Sequence, residues 1–173
     1  MRRFCVICIC LALLSSSVLA HGKGSKASGG GDKAQIEALY QQYLKAFNAK
    51  DVNAIMACYS PKDLFVFDAV PPREYPSWDS YKKDWEGLMA AFPGPINYTM
   101  SELSINMVGS VAYAHNIQTG YFTDKNGTRF DAVVRVTDVF RKINGKWLIV
   151  HEHVSVPVDL MTGKADLQSK PGQ

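Results

Sequence analysis

Two residues, Asn144-Gly145, restrict this chain more than any other feature. They separate residues 128–143 from residues 146–156, both rich in Val, Ile, Thr and aromatic side chains. An Asn-Gly pair between such runs favours the positive backbone angles of a tight hairpin turn. Gly109-Ser110 divides 96–108 from 111–123 in the same manner, and Lys125-Asn126-Gly127 joins 111–123 to 128–143. The second half of the chain therefore reads as an antiparallel meander of four strands. Such a sheet must bury one face, so the first half has to supply the cover.

That half carries the spacing of helices instead. Ile36, Leu39, Tyr40, Tyr43 and Phe47 recur three or four apart, which predicts an amphipathic helix over 34–48, begun by a capping box from Asp32 and Gln35. Asp51 caps a shorter helix whose apolar face is Val52, Ile55, Met56 and Tyr59, and Ser60-Pro61 stops it. Residues 64–67 form a short apolar strand. After a Pro-rich loop over 69–76, Ser77 caps a third helix in which Trp78, Tyr81, Trp85, Leu88, Met89 and Phe92 share a face until Pro93. The expected fold is α+β, three N-terminal helices packed on a curved antiparallel sheet. A sheet bent over helices encloses a pocket, and that pocket is the place to seek a ligand.

The first 20 residues are set apart from this domain. Arg2 and Arg3 precede an uncharged apolar run from Phe4 to Leu14, and Val18-Leu19-Ala20 supplies a small-residue cleavage site. This is the pattern of a secretory signal peptide, and the run is too short for a membrane-spanning helix. Residues 1–20 are thus expected to be removed on export to the periplasm or the exterior, with no membrane contact afterwards. Residues 21–33, rich in Gly, Ser and Lys, read as a flexible linker. The domain then covers 34–157, and 158–173 is a polar tail. Cleavage would also remove Cys5, Cys8 and Cys10, leaving Cys58 without a disulfide partner and the fold dependent on its own core. The chain holds 19 Lys and Arg against 16 Asp and Glu, and losing Arg2 and Arg3 leaves 17 against 16. That balance argues against a nucleic-acid partner.

Several stretches together carry a family resemblance: Tyr43 to Asp51 (YLKAFNAKD), Phe67-Asp68, Arg135 to Phe140 (RVTDVF) and Gly145 to Ser155 (GKWLIVHEHVS). They resemble the SnoaL-like, or ketosteroid-isomerase-like, branch of the nuclear-transport-factor-2-like (NTF2-like) superfamily. The final hairpin also resembles the association domain of calmodulin-dependent kinases. The resemblance implies a cone-shaped domain, a homodimer formed through the outer sheet face, and a pocket for a small molecule. It also implies site residues. Tyr43 lies eight residues before Asp51, as the isomerases' oxyanion-holding tyrosine does, and Asp68 falls at the position of their proton-moving aspartate. Arg135 stands where they hold an oxyanion with an acid, a departure that counts against the steroid isomerase reaction itself.

Asp68, Tyr43 and Arg135 are accordingly the candidate catalytic residues, with Asp68 shuttling a proton and the other two stabilising an oxyanion. Arg135 could equally form a structural ion pair with Glu152 or Asp68, and Asp68 could be a plain turn-former. Trp85 and Tyr81 are candidates for the pocket wall or the core, as are Tyr113 and Tyr121. Glu152 alternates with His151 and His153 on the last strand, so it faces the opposite side from both. Aligned on Arg135, Glu152 points inward and the histidines outward; a one-residue slip would exchange them and bring His151 and His153 to the ligand. A metal site at His151 and His153 would need a third ligand such as His115, and no spacing demands one. Neither metal nor cofactor is expected. The function these residues imply is binding of an apolar or aromatic carbonyl or carboxylate compound, with cofactor-independent proton transfer. A binding or homodimeric assembly module without chemistry fits the same sequence.

Overall fold

The computed structural model describes residues 29–169. The expected signal peptide, and residues 21–28 of the expected linker, lie outside the described residues. Helix α1 runs Gly29–Asn48, so it begins before the expected start and takes in the last residues assigned to the linker. Asp32 is therefore in the first helical turn rather than at the cap, and it pairs with Lys142 at 2.5 Å. Helix α2 (Val52–Met56) is capped by Asp51, which accepts from the Ala54 N–H. Strand β1 (Phe65–Phe67) follows. Helix α3 (Trp78–Ala91) starts at a reciprocal Ser77–Ser80 capping box. Strands β2 (Asn97–Val108), β3 (Val111–Thr123), β4 (Arg129–Ile143) and β5 (Lys146–Ser155) complete the order.

The sheet order is β1-β5-β4-β3-β2. The four long strands form the expected meander, and β1 adds to its edge in parallel, pairing Val66 with Glu152. The helices cover the concave face. On α1 that packing buries Ile36, Tyr40, Tyr43, Ala46 and Phe47, and on α3 it buries Tyr81 and Trp85. From the sheet the same core receives Ala112, Ala114, Val134, Val136, Phe140, Trp147 and Ile149. Aromatic side chains dominate it, and their edge-to-face contacts join α1 to α3: the Phe47 and Trp85 rings lie 5.0 Å apart at 88°.

Bulges bend the sheet and re-aim its side chains. One separates Ser101 from Ser104 in β2, where Glu102 takes a positive φ. The other decides the site. Lys146 pairs with Ile143 and Ile149 with Phe140, but the next pair is His151 with Val139, which leaves Val150 extra. A hairpin paired straight through from Asn144-Gly145 would set Glu152 opposite Thr137, on the same face as Arg135. With Val150 inserted, Glu152 stands opposite Asp138, and Arg135 stands opposite Ser155 on the other face.

The described part of the expected polar tail folds back on the sheet. Val158 bridges Ala165, Gly163 turns the chain at φ 69°, and the Val133 N–H donates to the Leu167 carbonyl at 3.1 Å. The β4–β5 pairing ends at Arg135 and Ser155, so residues 165–168 occupy the β4 edge that β5 leaves open.

Candidate functional site

Between the helices and the concave face lies a cavity of about 710 Å³. Its wall is mostly aromatic and aliphatic, from Phe47, Trp85, Tyr98, Phe122, Val134 and Val154, while Ala165, Leu167 and Gln168 of the C-terminal strap close one side. Stacking of Phe47 on Tyr98, with centroids 4.2 Å apart and planes 3° from parallel, fixes part of that wall. Tyr98 reaches it because its strand partner is Gly120: a Cβ there would meet the Asn97 carbonyl oxygen at 2.3 Å and the Tyr98 ring at 2.4 Å. A volume of this size accommodates a small organic molecule.

The polar part of the wall is a cluster of carboxyls and tyrosines. Glu152, brought inward by the Val150 bulge, is 3% exposed. Its Oε1 accepts from the Tyr81 hydroxyl at 2.7 Å and its Oε2 from the Tyr59 hydroxyl at 2.9 Å. Tyr81 also lies 3.1 Å from Asp68 Oδ2, so one hydroxyl stands between two carboxyls. Asp68 leaves the end of β1, where its Oδ1 accepts from the Val70 N–H at 3.4 Å. Deeper in the core, the Tyr40 hydroxyl donates to Asp138 Oδ2 at 2.5 Å, and the Asn116 amide approaches Tyr40 at 3.4 Å. Asp138 Oδ1 and Asn116 Oδ1 are buried with no hydrogen-bond partner among the described residues.

Among the described residues lining the cavity, no cation lies beside these acids: Arg129 is the one basic residue, and it sits at the exposed mouth, paired with Asp131 and lying over Tyr121. Burial therefore disfavours the charged forms. Desolvation holds Asp68 and Asp138 above the ordinary carboxylate range, and it holds Glu152 well above, with the Asp138 charge adding to the effect. The phenols of Tyr43, Tyr59 and Tyr81 are pushed up by the same desolvation and by the Glu152 charge, so they remain hydrogen-bond donors.

Tyr43 is 4% exposed and lines the cavity, and its hydroxyl has no hydrogen-bond partner among the described residues. Trp85 Nε1, in the neighbouring wall, is buried and equally without a partner. The Tyr43 hydroxyl is thus a donor on the cavity wall that no acceptor among the described residues meets, whereas Trp85 Nε1 is closed off within the wall.

The structure brings together Asp68, Tyr43, Tyr81, Trp85 and Glu152 around this cavity. It does not bring Arg135. That side chain is exposed on the outer face because the inward positions of β4 are Val134, Val136, Asp138 and Phe140. His151 and His153 are likewise outside the cavity, as their alternation with Glu152 requires; His151 Nδ1 lies 2.8 Å from the Phe65 carbonyl oxygen. Tyr113 is exposed on the outer face, and Tyr121 holds the Arg129 guanidinium 4.0 Å from its ring centroid. Among the described residues no three His, Cys, Asp or Glu side chains converge as metal ligands would. The sequence reading missed Asp138, Tyr40 and Tyr59. For Asp138 the signal was present, an acid flanked at every second position by Val136 and Phe140.

The chain is similar to one known family and, in fold, to solved structures. The SnoaL-like domain family matches residues 36–159. An NTF2-like protein of unknown function from Pseudomonas putida KT2440 is 27% identical, with a TM-score of 0.74 over 82% of this chain and 98% of that one. A ketosteroid isomerase-like protein from Erwinia carotovora atroseptica is 23% identical, with a TM-score of 0.61 over 70% of this chain and 93% of the other. An NTF2-like superfamily protein from Salmonella enterica serovar Typhimurium is 19% identical, with a TM-score of 0.69 over 78% and 97%. Comparison with curated proteins gives no match.

Proposed function

The chain belongs to the SnoaL-like domain family of the NTF2-like superfamily, and on that premise we propose that it binds an uncharged apolar or aromatic carbonyl compound and moves a proton beside the carbonyl. The observation that carries this reading is the pairing, on one apolar cavity, of a carboxyl wall with an unpartnered donor, the Tyr43 hydroxyl. A carbonyl oxygen satisfies that donor. Asp68 is the proton acceptor: the ligand's C–H bond breaks, an O–H bond forms on Asp68, and the electron pair moves to an oxygen that Tyr43 stabilises by donating to it. Returning the proton to a conjugated carbon completes an isomerisation with no cofactor, and returning it to the same carbon gives exchange. With Arg135 on the outer face, a ligand carboxylate would lie near Asp68 and Glu152 with no cation among the deep lining residues to offset it, so the carbonyl is the favoured group.

The test begins with native mass spectrometry of the purified protein and a thermal-shift screen of enones and aryl ketones. Ligands found this way are then followed by proton NMR for deuterium exchange beside the carbonyl. Asp68→Asn should slow exchange by about 10²–10⁴-fold while retaining binding. Binding with no exchange in the native protein would leave a carrier. Absence of any ligand would remove the pocket reading altogether.

The same proposal extends to place and assembly. Export with cleavage after Ala20 predicts a mature N-terminus at His21, readable by intact-mass measurement of the secreted or periplasmic protein. Exposed Val111 and Tyr113 on the outer sheet face favour a second copy as partner, which light scattering would register as a dimer.

A further inference from the structure

We propose that Asp68 and Glu152 share one proton through the hydroxyl of Tyr81, with Glu152 as the resting holder, so that Asp68 is kept ionised inside an apolar cavity. This relay rests on the reading of Asp68 as the proton acceptor. It offsets the desolvation that raises the proton affinity of Asp68 in these surroundings.

The geometry allows two arrangements of the same hydrogens. In the resting one, Glu152 Oε1–H donates to Tyr81 Oη across 2.7 Å, and Tyr81 donates its own hydrogen to Asp68 Oδ2 across 3.1 Å. In the other, the Glu152 O–H and Tyr81 O–H bonds break while new O–H bonds form on Tyr81 and Asp68. Glu152 becomes the carboxylate, now receiving from Tyr81 and, at 2.9 Å, from Tyr59. One proton is displaced by one carboxyl, no charge is created, and no co-reactant is needed.

The surroundings decide the resting side. Facing Glu152 are Asp138 from β4, Tyr40 and Tyr43 from α1, Tyr59 after α2, Tyr81 from α3 and Tyr98 from β2, none of which can carry a positive charge. Asp138 stands directly opposite Glu152 in the strand pairing, so its charge repels a second one there. Asp68 is half-buried, nearer the solvent and within reach of a backbone N–H from Val70, although Asp84 of α3 also faces it. Glu152 is the costlier place for a charge. Tyr81 is therefore a positioning residue that acts through the carboxyls.

The experiment is a carboxyl carbon NMR titration of the ligand-free full chain, with side-chain carboxyls labelled. In the native protein, Asp68 and Glu152 should each show a two-step curve with common midpoints, the mark of coupled sites. Glu152→Gln should turn the Asp68 curve into a single step and move its main midpoint by about one pH unit or more. Tyr81→Phe should leave both carboxyls titrating but with separate midpoints, and circular dichroism will show whether each variant folds. Single-step curves in the native protein, or an Asp68 curve unchanged in the folded Glu152→Gln protein, would overturn the relay. Because no ligand enters the measurement, that result would leave the carbonyl-binding reading standing, whereas loss of ligand binding would sink that reading and not the shared proton.

Discussion

Burying a carboxyl away from every cation makes its charged form unfavourable, and the cost appears as a dependence of stability on pH. Glu152 is the strongest case here, with its acid range raised by desolvation and by Asp138. A raised acid binds its proton more tightly in the folded chain than in the unfolded one. Its contribution is thus fully present below the ordinary carboxylate range, about pH 4, and is lost as pH rises through the folded value. Asp138 and Asp68 act in the same direction. Glu152→Gln preserves an oxygen for Tyr59 or Tyr81 and cannot ionise. It should therefore be no more stable than the native protein at pH 4 and more stable at pH 8 by about 1–3 kcal/mol. Urea unfolding at the two pH values measures this, and equal stability at pH 8 would mean that the cluster tolerates a full charge on Glu152.

Among the elements, the C-terminal strap is the one whose role is least expected from composition. Residues 158–168 mix polar and apolar side chains with no regular spacing, yet they cross the open edge of β4, and the Leu167 side chain joins the cavity wall. Truncation after Pro157 should leave the core intact, because the buried residues of the domain lie before it. The Val133 amide, which now donates to Leu167, should lose its protection from hydrogen exchange. A bound ligand should weaken by about tenfold, the factor that corresponds to roughly 1.4 kcal/mol of lost contact. An unchanged Val133 exchange rate would show that the strap does not hold this edge in solution. The same scale shows what the sequence could and could not display. The turns at Gly109-Ser110 and Asn144-Gly145 are chemical signals in the residues themselves, and so are the caps Asp51 and Ser77. The bulge at Val150 has no such mark. Its cause is tertiary: the chain after α2 bonds Ile149 on both sides, with Ser60 donating to its carbonyl and Cys58 accepting from its amide. That single residue turned Glu152 into the site and put it beside Asp138. The family alignment put Arg135 at the pocket, but the alternation of β4 turns it outward, while Asp68 and Tyr43 from the same alignment line the cavity.

For the molecule as a whole, one core spans helices and sheet, and Cys58 lies inside it, 1% exposed, with its sulfur directed at the Ala54 and Leu39 carbonyls. Burial pushes its thiol up to about 12, so it is neither ionised nor reachable while the domain is closed. No disulfide joins the described residues. In the chain from His21 onward the fold must therefore hold by packing alone, and its thermal midpoint should be the same with and without a reducing agent. Cys58 then becomes a reporter of the entire domain. Modification by iodoacetamide should be negligible in native buffer and should rise with urea along the same curve as the loss of circular dichroism, because the thiol is released only when α1, α2 and β5 separate. Fast labelling in native buffer would instead show that the layer formed by α2 and the chain after it opens on its own. Since that layer presents Tyr59 to Glu152 and fixes the β5 bulge, such opening would also let water into the carboxyl cluster, and the pH dependence argued for Glu152 would flatten with it.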